Sequence, residues 1–412
     1  MTPAGTMTLW RRVFLPFAAG YYFSYLLRTV NAVIAPELTR ELGLSAADLG
    51  LLTSTYFFTF AAFQVPLGML LDRYGPRRVE AALLLFAAAG CALFALGQNL
   101  AQLGAARALI GLGVSACLMA SFKSFHQWFA AERQPSLVGT IMVAGGLGAL
   151  TSSVPLELVL PAVGWRGVFW AVAGLGVLVA ALVFTVPDHA AGIASETLGA
   201  AWRGVVQVFR SPVFWRYAPQ NCITVGGFMA VQGLWAVPWL MTTSGYTRAV
   251  AAQHLFLMSV AMLVGYLGIA ILTPALSRRG VKPGLLFAAG VVLGLACAAL
   301  ILFDFGPTQL LWVLYGFAAS SGNLAYPLLT AAFPAHLAGR VNTAYNLMAF
   351  VGAFSVQWGF GAVVDLARAA GNDPTSSFRV AFAVLTTLQA AAFAWYGWAG
   401  RQRSAASGDG IC

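Results

Sequence analysis

Residues 68–78 read GMLLDRYGPRR, and this charged segment lies between two long apolar segments at 47–71 and 80–98. Each apolar segment has the roughly 20 residues that an α-helix needs to cross a bilayer. The stretch therefore predicts two membrane-spanning helices joined by a short, positively charged loop.

The composition of the whole chain extends this prediction. Of the 412 residues, 60% are hydrophobic and 9% are charged, and the mean hydropathy is +0.80, whereas a soluble domain carries about 25% charged residues. We therefore expect an all-α membrane protein, with lipid as the solvent for most of its surface. Twelve candidate spans lie at 12–36, 47–71, 80–98, 101–126, 136–160, 165–187, 213–241, 251–276, 283–303, 308–334, 341–365 and 379–400.

The net charge of +10 follows the expected topology. If the amino terminus is cytoplasmic, most of the 23 basic residues fall in cytoplasmic loops, which is the positive-inside pattern. Both termini are therefore predicted to be cytoplasmic, in the inner (plasma) membrane of a bacterium. The same distribution argues against a nucleic-acid partner and leaves the lipid bilayer as the main surroundings.

The sequence shows no catalytic or metal-binding motif. The five cysteines are scattered, without a Cys-x-x-Cys pair or a zinc-like spacing. No P-loop, zinc-protease or Gly-x-Ser-x-Gly motif occurs, and no soluble stretch is long enough for a nucleotide-binding domain. We therefore expect no enzyme activity, no metal and no cofactor.

The chain divides into two halves at its longest polar interruption, 188–211. This predicts a six-helix bundle at 1–187, a cytoplasmic linker with a short amphipathic helix at 188–212, a second six-helix bundle at 213–400 and a cytoplasmic tail at 401–412. The loop after the eighth span, with Arg278, Arg279 and Gly280, repeats the pattern of 68–78. Internal repeats of this kind are typical of secondary transporters, whose substrate site lies near the membrane midplane.

The motif Gly-x-x-x-Asp-Arg-x-Gly-x-Arg-Arg at 68–78 resembles the signature loop of the major facilitator superfamily. The segment 107–113, Arg-Ala-Leu-Ile-Gly-Leu-Gly, resembles that superfamily's motif in the fourth span. The resemblance covers essentially the whole chain. It implies two pseudo-symmetric six-helix bundles, rocker-switch alternating access, and a loop that stabilises the outward-open state. The gating residues so implied are Gly68, Asp72, Arg73, Gly75, Arg77 and Arg107. The alternative is that the loop charges only set the membrane topology.

Arg28 lies in the middle of the first span, where a lone guanidinium costs about 2.5–3.5 kcal/mol on insertion scales. No acidic residue in that span neutralises it, so we interpret an anionic substrate as its partner. Helical spacing puts Tyr21, Tyr25 and Asn31 on the same face. The alternative is a structural arginine that binds backbone carbonyls or another helix.

The pattern around Arg28 is similar to the first span of the organophosphate:phosphate antiporters and the related anion:cation symporters. That similarity implies that Arg28 binds the substrate anion. The phosphate antiporters carry a second arginine in span seven and a lysine in span two, where this chain has Gln232 and Gln64. Their span-five histidine also has no counterpart at 140–153. A single cation favours a monoanion, so we expect an organic carboxylate.

Further candidates for substrate contact follow from spacing along the other spans. The alternative for each polar member is a hydrogen bond between helices. These candidates are Tyr56, Phe60 and Gln64 in span two, Gln232 and Trp235 in span seven, Asn323 and Tyr326 in span ten, and Asn346 and Gln357 in span eleven.

Lys123 and His126 share a face at the inner end of span four. They are candidates for a gating or coupling role, and the alternative is that they extend to the cytoplasmic interface. Near the loop, we expect the arginines to pair with carboxylates such as Glu80 or Glu132.

The coupling ion stays open, because no acidic residue lies near mid-depth of a span. Exchange for a counter-anion, facilitated diffusion and symport with a proton are all compatible with the sequence. The alternative function is an exporter of amphipathic compounds, which the 13% aromatic content favours. The absence of an adjacent Gly-Pro pair in span five and the cavity arginine argue against it. We expect a monomer.

Overall fold

The computed structural model describes residues 8–130, 133–187, 198–334 and 337–406, and every regular element among them is a helix. The predicted all-α class is confirmed. The first eight α-helices are α1 (Leu15–Leu42), α2 (Ala46–Ala62), α3 (Gln64–Tyr74), α4 (Pro76–Leu96), α5 (Leu100–Val114), α6 (Cys117–Trp128), α7 (Gln134–Thr151) and α8 (Val154–Phe184). The remaining ten are α9 (Leu198–Phe209), α10 (Pro212–Gln220), α11 (Gly226–Ala230), α12 (Ala236–Thr243), α13 (Arg248–Arg278), α14 (Pro283–Leu302), α15 (Thr308–Ala319), α16 (Ala325–Thr330), α17 (Ala338–Ala369) and α18 (Pro374–Ala406).

Eight helical stretches in the described part of the chain are long and apolar enough to cross a membrane. Several predicted spans are interrupted helices. Span two comprises α2 and α3, and span four comprises α5 and α6. Span seven is a helical stretch, Pro212–Thr243, with π-helical turns at Asn221–Val225 and Val231–Trp235. Such turns frequently occur at functional sites.

Helix ends follow local sequence signals. Ser45 caps α2, because its hydroxyl accepts from the Asp48 amide while the Asp48 carboxylate accepts from the Ser45 amide, both at 3.1 Å. Gly75 has a φ of +80°, which glycine adopts without steric cost, and Pro76 begins α4. Gly280, the equivalent glycine of the second repeat, has a φ of +84°. The two loops therefore share a left-handed glycine at the matched position.

The long run Val154–Phe184 is kinked at Gly164, where φ is +66° and ψ is 168°. The run contains the end of the predicted fifth span and all but the last residues of the sixth. Glycine is required at the kink because a side chain there would strain the backbone.

The chain packs as two units. Residues 1–196 and 232–256 form the first unit, and residues 197–231 and 257–412 form the second. The core of the second unit includes Phe214, Val291 and Tyr345. Helix α9 joins this core through the buried Val208, while Arg203 and Arg210 are exposed.

Glycines set the closest helix contacts of the first unit. A Cβ at Gly148 of α7 would overlap the backbone carbonyl oxygen of Tyr22 in α1 and lie 3.0 Å from the Leu26 amide nitrogen. A Cβ at Gly113 of α5 would likewise overlap the backbone of Ala87 in α4. These contacts bring α1 within backbone distance of α7 and so fix the position of the helix that carries Arg28.

A polar cluster lies beyond the predicted first span, at the end of α1. Trp165 donates to Oε2 of Glu41 at 2.7 Å, and the Arg166 guanidinium donates to Oε1. The Trp165 hydrogen bond, followed by the Arg166 contact, holds the pKa of the Glu41 carboxyl below its ordinary value of 4.5.

We expect these contacts to make stability depend on pH in the acid range. A carboxyl with a lowered folded-state pKa stabilises the fold above its unfolded pKa, and that contribution is lost as pH falls through the folded value. The melting temperature of the purified protein should fall on acidification, and the fall should be smaller in Glu41→Gln. Equal pH profiles for the two proteins would contradict this assignment.

Candidate functional site

Four aromatic residues surround Arg28 in the first unit, and we call them the aromatic cluster: Tyr21, Tyr25, Tyr56 and Phe60. The guanidinium carbon of Arg28 lies 4.3 Å from the ring centre of Tyr25 and 5.7 Å from that of Phe60. Both distances are within the range of a cation–π interaction, which stabilises a cation away from bulk water. Arg28 itself is half-buried.

The aromatic cluster is held together by its own contacts. The rings of Tyr21 and Tyr25 meet edge to face at 5.1 Å, and those of Tyr56 and Phe60 stack at 6.1 Å. The Tyr56 hydroxyl donates to the Ser24 carbonyl at 3.4 Å, which links α2 to α1. These contacts hold the four rings in place around the Arg28 guanidinium.

Arg107 of α5 is a buried arginine of the first unit, and it bonds to the backbone of α1. It is 1% exposed, donates from Nη1 to the Leu27 carbonyl at 2.9 Å, and lies 5.4 Å from the Phe94 ring centre. Leu27 is the residue that precedes Arg28 in α1. The bond from Arg107 therefore holds the backbone of α1 next to Arg28.

Asn31 and Gln64 bond to protein groups. The Asn31 amide is fully buried and donates to the Thr53 hydroxyl at 2.9 Å, between α1 and α2. The Gln64 amide donates to the carbonyls of Phe60 and Ser115 at 3.3 and 3.4 Å. Both arrangements match the interhelical alternative, and substrate contact by these two residues stays a prediction.

Gln232 and Trp235 lie in the π-helical turn Val231–Trp235 and are both buried, at 4% and 2% exposure. In the second unit, the Tyr326 hydroxyl donates to Oδ1 of Asn346 at 3.0 Å, while Asn323 is exposed and Gln357 is fully buried. Tyr326 and Asn346 thus form a pair inside that unit. Their role in binding stays a prediction.

The loop at 68–78 has described contacts for only some of its residues. Arg77 donates to the Val186 carbonyl at 2.9 Å, and Arg73 lies over the Tyr74 ring at 5.3 Å. A Cβ at Gly68 would meet nothing within 4 Å. The Asp72 side chain lies outside the described residues, so the gating role of this loop stays a prediction.

Lys123 donates from Nζ to the Leu71 carbonyl at 2.9 Å, while His126 is exposed. The Leu71 carbonyl belongs to the last turn of α3, whose final carbonyls attract a cation. Lys123 therefore stabilises the end of the helix that precedes the loop.

The prediction that Glu80 pairs with the loop arginines is wrong. Glu80 is 0% exposed, and no arginine among the described residues bonds to either of its carboxylate oxygens. It follows Pro76 by one helical turn, which directs its side chain into the first unit. Glu132, the other proposed partner, lies outside the described residues.

An ion-pair network joins three helices of the first unit. Arg248 of α13 pairs with Glu37 of α1 at 2.5 Å and with Glu157 of α8 at 2.6 Å. Sequence reasoning missed it, because the three residues lie far apart in the chain. The signal was that all three fall at the ends of spans on the predicted outer side.

We expect Arg248→Gln to be more destabilising than Glu37→Gln or Glu157→Gln. Loss of the arginine leaves two carboxylates together without a counter-charge, whereas loss of one glutamate leaves a neutral pair. The cost should be about 1–3 kcal/mol, below that of a fully buried pair because the side chains are partly exposed. Thermal unfolding in detergent measures it, with the exposed Arg368→Gln as control. Equal effects of all four variants would contradict the network.

Comparison with known proteins agrees with this architecture. The model of the Major Facilitator Superfamily matches residues 17–356. A probable L-galactonate transporter of Escherichia coli (strain K12) is 25% identical over 392 residues, covering 89% of this chain and 84% of that protein. The probable sulfoacetate transporter SauU of Cupriavidus necator is 31% identical over 150 residues, 36% of this chain and 35% of that protein.

The fold is also found among solved structures. A bacterial homolog of the human lysosomal transporter Spinster, in an inward-facing and unoccupied conformation, superposes with a TM-score of 0.76 at 17% identity. The match covers 97% of this chain and 98% of that one. The family match spans most of the chain, from the first span to the eleventh, and includes the loop and the fourth-span motif. The chain therefore belongs to the major facilitator superfamily and is an integral membrane transporter.

Proposed function

We propose that this transporter carries a small organic anion, a carboxylate, with Arg28 as the residue that binds the anionic group. The observation that carries the proposal is a half-buried guanidinium in a membrane span, surrounded by the aromatic cluster. A planar guanidinium binds a carboxylate through two parallel hydrogen bonds. The aromatic rings around it would contact the carbon skeleton of the bound molecule.

The chemistry of the relatives supports an anionic substrate. L-galactonate has one carboxylate and several hydroxyls, and sulfoacetate has a carboxylate and a sulfonate. Each of these molecules has at least one oxyanion that a guanidinium can bind. The galactonate relative covers most of this chain, so it is the stronger support.

A monocarboxylate fits the site better than a phosphate ester. Gln64 and Gln232 replace the second and third cations that the first-span resemblance implies for phosphate antiporters. A phosphate monoester carries up to two charges, and leaving one uncompensated within the membrane is costly. One arginine neutralises one carboxylate.

Transport follows by rocker-switch alternating access, in which the bound anion is exposed to one side of the membrane at a time. Arg28 would bind the anion in each state, and the loop at 68–78 would bias the equilibrium between states. We propose that both termini are cytoplasmic, because the positive-inside pattern indicates that orientation. We also propose that the protein is a monomer in the bacterial plasma membrane.

A thermal-shift screen of the purified protein tests the proposal. The ligands are L-galactonate and other monocarboxylates, di- and tricarboxylates, phosphate esters, and a set of lipophilic cations. Because a ligand that binds only the folded state raises its stability, we expect the monocarboxylates to raise the melting temperature. Stabilisation by lipophilic cations alone would contradict the proposal and favour an exporter of amphipathic compounds.

A further inference from the structure

Glu80 is a fully buried acid in α4, one helical turn after Pro76. Its carboxylate lies against Gly20 of α1, where a Cβ would overlap Oε1 and lie 3.3 Å from Cδ. The same point is 3.9 Å from the Cys117 sulfur of α6. Glu80 therefore projects from α4 into the junction of α1 and α6.

No charged partner faces Glu80 among the described residues. On its own helix, Arg77 donates to the Val186 carbonyl and Arg78 is exposed. On α6, Lys123 donates to the Leu71 carbonyl. The Cys117 thiol of α6 is a titratable group that does face Glu80. The other titratable side chains described on the elements packed around it form no hydrogen bond with Glu80: Arg28 on α1, Arg73 on α3, Arg107 on α5, His126 on α6, and Glu157 and Arg166 on α8.

An ionised carboxylate in this position would be expensive. Burying a charge without a counter-ion or hydrogen bonds costs several kcal/mol in a protein interior, and such a group takes up a proton instead. In the part of the chain that the structure describes, no nitrogen or oxygen donor bonds to either oxygen of Glu80, and the neighbouring Cys117 thiol is only a weak donor. The neutral acid is therefore the form that this packing accommodates.

We propose that Glu80 is the proton-binding site that couples anion transport to a proton gradient. Binding forms an O–H bond on a carboxylate oxygen in the state where the side chain is buried. When helix movement opens the junction of α1, α4 and α6 to water, the bond breaks and the proton leaves as a hydronium ion. One proton is carried with each monoanion, so the cycle is electroneutral and involves no redox step. This inference rests on the proposed anion transport.

Infrared spectroscopy tests the proton site without any substrate. At neutral pH, exposed carboxyls are ionised, so a protonated-carboxyl band marks a buried acid. We expect wild type to show such a band and Glu80→Gln to lack it. The matched control Glu41→Gln changes an exposed carboxyl and should keep the band. Identical wild-type and Glu80→Gln spectra would overturn the proposal, and so would the absence of a protonated-carboxyl band in wild type.

Transport into liposomes containing the purified protein tests the coupling. With labelled L-galactonate as probe, a tenfold inward proton gradient should drive up to about tenfold accumulation in wild type. In Glu80→Gln the accumulation should fall to the level seen without a gradient, while exchange of labelled for unlabelled L-galactonate continues because it needs no net proton movement. Gradient-driven accumulation in Glu80→Gln would overturn the proposal. A wild-type infrared band without any L-galactonate uptake would support the proton site and contradict transport of that anion.

Discussion

Replacing Arg28 with glutamine is expected to abolish anion binding while the protein stays folded. Truncating one partner of a desolvated, hydrogen-bonded charge pair costs about 2–5 kcal/mol, which weakens binding by roughly 30-fold to several-thousand-fold. Glutamine keeps a polar side chain among the aromatic rings. It has no positive charge and cannot form the two parallel hydrogen bonds that a guanidinium forms with a carboxylate. Titration calorimetry with the carboxylate that gives the largest thermal shift measures the loss.

The variant Arg28→Lys separates charge from geometry. Lysine keeps the positive charge but binds as a point charge, without two parallel hydrogen bonds. We therefore expect an intermediate affinity, weaker than wild type and stronger than Arg28→Gln. If Arg28→Gln instead failed to fold, or lost no affinity, Arg28 would be a structural residue, the alternative that its first-span position leaves open.

Replacing Gly148 with valine is expected to produce the largest loss of stability among the helix contacts of the first unit. A Cβ there overlaps the Tyr22 carbonyl oxygen and comes within 3.0 Å of the Leu26 amide. Both obstacles are backbone atoms, which cannot rotate away, so the cost should be on the order of 3 kcal/mol, near the upper end for overpacking. Thermal or denaturant unfolding in detergent measures it.

Gly174→Val is the matched control. Gly174 is exposed in the same kind of helix, and a Cβ there meets nothing within 4 Å. Both variants replace a helical glycine with valine and so change the side chain and the helix propensity equally. The difference between their stabilities therefore isolates the contact between α1 and α7. Comparable losses in both variants would mean that the close approach of these helices is not what Gly148 provides.

The fold could be predicted from the sequence because its signals are local. Gly75 in the loop at 68–78 matches Gly280 in the repeat of that loop, and both glycines have a positive φ. Span length and hydropathy predict where the apolar helical segments lie, but not the breaks within spans two and four. The kink at Gly164 lies inside one helical run, so the boundary between the predicted fifth and sixth spans depends on one residue.

The candidate site was predictable where its residues share a helix. Tyr25 and Arg28 are three residues apart on α1, and the structure brings their side chains to 4.3 Å. Phe60 was chosen from spacing along span two, and its approach to Arg28 depends on how α1 and α2 pack. Periodicity shows which face of a helix is polar but not which residue of another helix meets it.

The residues that sequence reasoning misjudged depend on contacts between distant segments. Glu80 follows three basic loop residues, so pairing with them was the simple expectation. One helical turn instead places its carboxylate against Gly20, which is sixty residues earlier in the chain. The Arg248 network joins residues of three helices in the same way. Neither arrangement leaves a pattern within one span.

Uptake of labelled L-galactonate into liposomes containing wild-type protein or Arg28→Gln shows whether Arg28 binds a transported anion. We expect saturable uptake by wild type that unlabelled monocarboxylates inhibit and lipophilic cations do not, and no uptake above empty liposomes by a folded Arg28→Gln. Undiminished anion uptake by Arg28→Gln would contradict the assignment of Arg28. Saturable uptake of a lipophilic cation, with no uptake of any anion by wild type, would contradict the anion-carrier function itself.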